Sequence, residues 1–82
     1  MEKKIEVGDE FWMMDGDEKM SIVILAIYMI RHPEKDSWSP WVSVFRWWAD
    51  EKESGSEDRM PFSFLHKWMQ SWEWKRVGAN HG

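Results

Sequence analysis

Apolar positions along the chain change period several times, and each change marks an element. Ile5 to Asp9 reads as an entry segment in which Gly8-Asp9 turns the chain into a strand from Glu10 to Met14. Asp15-Gly16-Asp17-Glu18 follows, and Asp-Gly between apolar runs predicts a hairpin because both residues tolerate positive φ. The return run, Met20 to Arg31, is rich in Ile and Val and lacks the polar stripe of a surface helix, so strand is favoured over the competing helical reading. Regular alternation gives it two apolar faces: Ile22, Ile24, Ala26, Tyr28 and Ile30 on one, Val23, Leu25, Ile27 and Met29 on the other. A strand apolar on both faces is central, bent in a small barrel, or covered by a helix or a second subunit.

A polar loop, His32 to Ser37, is closed by Ser39-Pro40, and a third strand is predicted from Trp41 to Trp48. Its faces carry Trp41, Ser43, Phe45 and Trp47, and Val42, Val44, Arg46 and Trp48. Residues 49–59 are acidic, contain Gly55 and hold no apolar residue after Ala49, which predicts a mobile surface loop. Pro61 then opens a run with apolar residues at 64, 65, 68, 69 and 72, a helical spacing that predicts a short helix over 62–70. Alternation over 72–77 predicts a last strand, and 78–82 a flexible tail. The order predicts one mainly β domain over residues 1–77: a small SH3-like barrel of four to five strands with one short helix. The alternative is a small α+β sheet with one helix packed across it. Trp12, Phe45, Phe64, Leu65 and Trp68 are the expected core around the long strand.

Composition adds one strong feature. Eight of 82 residues are tryptophan, more than a domain of this size buries well, and surplus aromatic surface is a common mark of recognition. The formal charge of −4 argues against sequence-independent phosphate binding, which needs a clustered basic face. It permits a basic protein partner or mimicry of nucleic acid. The absence of cysteine removes disulfides, thiolate chemistry and cysteine zinc sites, and fits a reducing cytoplasm. No apolar segment follows the opening Met-Glu-Lys-Lys, so no signal peptide is expected. The run from Met20 to Ile30 is well short of the ~20 residues of a membrane span.

The opening Val7-Gly8-Asp9-Glu10-Phe11, the hairpin, the strand Val42 to Phe45, and Pro61-Phe62-Ser63-Phe64-Leu65 before a closing strand resemble small SH3-like barrel accessory proteins of bacteriophages. The resemblance covers most of the chain as a pattern of residue types and spacings. The tryptophan content and the acidic segment depart from it. It implies a phage-encoded protein of the host cytoplasm, in a class where many members bind and inhibit host proteins of defence or nucleic-acid processing.

Chemistry-bearing residues are sparse. Asp15, Asp17 and Glu18 lack the alternating ligand spacing of a calcium loop. His32, His66 and His81 have no second ligand at metal spacing, and Ser63 with His66 has no orienting acid, so no catalytic residue, metal or cofactor is expected. Protein binding is the expected function. Trp38, Trp41, Trp47 and Trp48 are the expected anchors, and Glu51, Glu53, Glu57 and Asp58 would steer a basic partner. The alternatives are a single-stranded nucleic-acid binder, using tryptophan beside Arg46 or Lys75-Arg76, and a structural homodimer.

Overall fold

The computed structural model describes residues 5–71 and 73–77. Its elements are β1 (Glu10–Asp15), β2 (Glu18–His32), β3 (Ser37–Trp48), a 3-10 turn (Lys52–Ser54), β4 (Ser56–Pro61), α1 (Phe62–Ser71) and β5 (Lys75–Arg76). The strands form one antiparallel sheet in the order β4-β3-β2-β1-β5. The chain is thus mainly β, but the sheet is open. β4 and β5 are its edges and do not pair with each other, so among the described residues the expected barrel does not close. Closure needs a long last strand, and β5 contributes two residues, paired with Phe11 and Trp12. The expected tail 78–82 and the start of the expected last strand at Trp72 lie outside the described residues.

The first hairpin turns on Gly16-Asp17, between the paired residues Asp15 and Glu18. The hairpin falls where Asp-Gly predicts it, and Gly16, the first central residue, takes the positive φ (67°). At the second hairpin Asp36 takes the left-handed conformation (φ 49°), which aspartate tolerates better than most residues. β3 begins at Ser37, so Trp38-Ser39-Pro40-Trp41 belongs to the strand and not to the loop before it.

A β-bulge at Leu25 corrects the reading of the long strand. Ile24 pairs with Val44, and the next pair is Ala26 with Ser43, leaving Leu25 unpaired. Directly paired residues share a side of the sheet. Ile27 and Met29, opposite Val42 and Pro40, therefore lie on the side of Ile22 and Ile24. Ala26, Tyr28 and Ile30, opposite Ser43, Trp41 and Ser39, lie on the side of Val23 and Phe45. The sequence reading placed each of these two rows on the other side.

Residues 49–59 are only partly loop. The second half forms β4, with Ser56 to Pro61 paired to Arg46 back to Trp41. A polar strand is stable there because it is an edge, with much of its surface in water. Gly55 allows the turn before it: a Cβ would sit 2.6 Å from the Arg46 carbonyl oxygen and 2.7 Å from the Phe45 ring.

α1 lies across β3 and β4 on one side of the sheet. Phe11, Ile22, Ile24, Val42, Val44, Met60 and Leu65 form the core, with Ile5, Trp68, Met69 and Trp74 packed against it. Leu65 is fully buried and Trp68 partly so, as the helical spacing predicts, while Phe64 points outward, 56% exposed. Trp12 and Phe45 pair with Ser21 and Val23 on the side away from this core, so they are not part of it.

Candidate functional site

The lengths of the strands create the candidate site. β1 pairs with β2 only as far as Val23, with one more step through Asp9 to Ile24, and β4 pairs with β3 only from Trp41 to Arg46. Beyond those points the two long strands run on as an arm: Leu25 to Tyr28 keep β3 and β4 on one side and a bare edge on the other, and Met29–His32 against Ser37–Pro40 are two-stranded. On the side shared with α1 the arm carries Ile27, Met29 and Trp38, all exposed; Met29 is 53% and Trp38 60% exposed. Leu25 is exposed at the arm's base. On the other side Tyr28, Trp41, Ile30 and His32 are half-buried. Single exposed apolar residues are ordinary, but an uncharged row of them on one ribbon is a feature of binding surfaces.

The arm is held in shape by polar contacts. Arg31 pairs with Asp36 across the tip, the His32 ring nitrogen Nε2 lies 3.0 Å from Ser39 Oγ, and the Ser43 hydroxyl reaches the Tyr28 hydroxyl at 3.4 Å. Pro40 shows how the backbone is oriented. It has no N–H, and its pairing with Met29 is accommodated as one of the wide pairs whose N–H and C=O groups point away from each other. The Met29 backbone therefore faces the outer edge of β2, and by alternation so do those of Ile27 and Arg31. Among the described residues that edge is unpaired from Leu25 onward.

The expected site residues separate into two groups. Trp38 and Trp41 belong to the arm and its base. Trp47 and Trp48 lie at the opposite end of β3, about 30 Å from Trp38 at ~3.3 Å per residue. Trp47 is 7% exposed, beneath Lys52, whose Nζ lies 4.7 Å from the ring centre, and beside Phe45 at 5.9 Å between ring centres. In this arrangement it packs and does not project. Trp48 stays exposed, as do Glu51 and Glu53. Glu57 pairs with Phe45 on the side away from the helix, and Asp58 lies on the helix side in an ion pair with Arg46 at 3.0 Å. The four acids are thus spread over both sides of the sheet and do not form one patch.

Sequence reasoning missed Leu25, Ile27 and Met29 as surface residues. The signal was present in the lengths of the elements: β1 is too short to cover a strand as long as β2.

Two further features lie on the body. Trp12 stands between two lysines, with Lys19 Nζ 5.0 Å and Lys75 Nζ 5.9 Å from its ring centre. Near the sheet's β5 edge, Arg76 binds Asp9 at 2.7 Å and stacks on Phe11 at 4.8 Å. Burial pushes the Asp9 carboxyl up, but the Glu6 N–H, donating at 2.8 Å, and the Arg76 guanidinium outweigh it and hold the group below its ordinary value. A 230 Å³ groove beside this pair is lined by Ile5, Phe11, His66, Met69 and Trp74, and the Trp74 indole N–H is buried with no acceptor among the described residues.

Among the described residues no group of three or more His, Asp or Glu side chains is placed to hold a metal, and no helix is long and apolar enough to cross a membrane. No family model matches the chain, and neither a curated protein nor a solved structure matches it.

Proposed function

We propose that this chain is a non-catalytic protein-binding module that docks through the arm. The observation carrying the reading is the exposed apolar group of Ile27, Met29 and Trp38 on one side of the arm, with Leu25 exposed at its base, held on a ribbon whose shape is fixed by its own hydrogen bonds. A pre-shaped apolar surface loses little entropy on binding, and an exposed tryptophan is the residue type that most often dominates an interface. The exposed acids near Trp48, about 30 Å away, act on approach rate and not as part of the contact. The partner is a host-cell protein of the cytoplasm, blocked by the contact, as the resemblance to phage accessory proteins implies. The SH3-like character belongs to the same resemblance, as a barrel left open on one side.

The test is affinity capture from bacterial lysate followed by titration of the captured protein. Trp38→Ala should weaken binding by at least ~30-fold, the loss expected for an anchor residue, with the melting temperature unchanged. Equal affinity of wild type and variant for the same partner would remove the arm as the site.

A second reading rests on Trp12 between Lys19 and Lys75, a stacking surface with cations on both sides. It requires single-strand affinity that falls steeply with salt and is lost in Trp12→Ala.

A further inference from the structure

We propose that the outer edge of β2, from Ile27 to Arg31, pairs antiparallel with the same edge of a second copy, joining two five-stranded sheets into one. The inference concerns the backbone edge of the arm and stands apart from the side-chain surface assigned to a protein partner.

The free edge is long and carries no blocking device. Natural edges are protected by charge, proline, a bulge within the strand or a covering element. Between Ala26 and Ile30 there is no charge and no proline, and the bulge at Leu25 sits at the arm's base, before the free stretch. The outward N–H and C=O groups belong to Ile27, Met29 and Arg31, as the Pro40 pairing requires. Antiparallel pairing joins outward-facing residues to outward-facing residues, so only registers in which the two residue numbers sum to an even value are allowed.

One of these fits the edge. Centred on Met29, it sets Ile27 opposite Arg31 and Tyr28 opposite Ile30 of the second copy, and Met29 opposite its own counterpart at the two-fold axis. The neighbouring register centred on Tyr28 drives the copy's His32 against Ile24, which already bonds Gly8 and Asp9. The Met29 register uses the three outward-facing residues and stops short of the bulge.

Charge favours the same occupant. No like charges oppose each other across the shared stretch, and Lys35 at one tip comes alongside the Glu6–Asp9 turn of the other copy, because that turn bonds Ile24 just beyond the edge. The acidic residues 50–58, which carry much of the net negative charge, are left at the far ends of the assembly. Ile27 and Met29 become continuous with their copies on the helix side. The area gained is that of a short strand pair and its flanking side chains, at the low end of stable interfaces, so the dimer is expected to dissociate in the range of about 10–100 μM.

Sedimentation from about 1 μM to 1 mM tests this: the mass should rise from 10.0 kDa toward twice that value. Met29→Pro removes an N–H that points only outward, so the variant should fold and stay monomeric throughout. Met29→Lys at the same exposed position should weaken the dimer at least ~10-fold and serves if proline perturbs the fold. Register is read by disulfides, since the chain has no cysteine of its own. Facing residues of a hydrogen-bonded pair lie ~5.5 Å apart at Cα, within disulfide range. Met29→Cys, with oxidised glutathione as oxidant, should therefore cross-link to a dimer, while Tyr28→Cys should not. A mass fixed at the monomer value, a dimer that persists in both the proline and lysine variants of Met29, or cross-linking at Tyr28 and not Met29 overturns the proposal. None of these outcomes bears on Trp38 and a protein partner, whose failure is read separately by capture.

Discussion

The first and second halves of β2 are made of the same residues and meet opposite fates. Met20, Ile22 and Ile24 are buried, and Leu25, Ile27 and Met29 are exposed, although all six are aliphatic or thioether side chains on one strand. The difference lies in what stands beside and above them. β1 flanks the first half and Leu65 of α1 shares its core; β1 ends before the second half begins, and β4 reaches only to the residues opposite Ile27 and Tyr28. Hydrophobicity makes a strand, and the lengths of its neighbours decide whether that strand is core or surface.

The comparison is sharpest at the helix. Leu65→Ala removes a fully buried side chain from the centre of the core and should cost about 2–5 kcal/mol in denaturant unfolding, much of the stability of so small a domain. A loss below about 1 kcal/mol would mean that α1 does not seal the body. Gly55→Ala comes next. Its Cβ meets a backbone oxygen and a ring at under 3 Å, so the Lys52–Ser54 turn must lift, with a cost of about 1–3 kcal/mol and fluorescence of an unpacked Trp47.

How far the sequence could carry these distinctions depends on the element. The three long strands and the helix over 62–70 follow from periodicity and turn residues, because those patterns act within a few positions. β4 was hidden because Ser56 to Arg59 is polar, and an edge strand needs no alternation on a face that stays wet. Trp47 reads as an anchor in the sequence because nothing local shows that Lys52 folds back over it. The bulge was invisible as well: one unpaired residue reverses the side of everything after it, and Leu25 differs in no way from its neighbours.

Acid distinguishes the two regions more gently. The folded-state value of Asp9 is lowered, so its contribution to stability is full above the ordinary aspartate range and fades as pH falls through that lowered value. Between about pH 5 and pH 2 the backbone signals of Gly8 and Ile24, which bond each other at 2.8 Å, should shift together in NMR spectra, while Ile27 in the arm holds. Movement of Ile27 with the same midpoint would tie arm and body into one unit. The smallest effect belongs to the arm: Met29→Ser should change unfolding free energy by no more than about 0.5 kcal/mol at micromolar concentration, against several for Ile24→Ser.

The unpaired Leu25 amounts to an insertion the sheet has already absorbed. Deleting it restores ordinary pleating, with Ile27 and Met29 still on the helix's side and Tyr28 and Ile30 still on the other. Lengthening the same strand by one residue beyond the bulge does the reverse for β2: Tyr28 and Ile30 turn to the helix's side, while Trp38 and Pro40 on β3 keep theirs. Half of the surface that the arm presents can therefore be exchanged by a single codon, without altering one residue of the core.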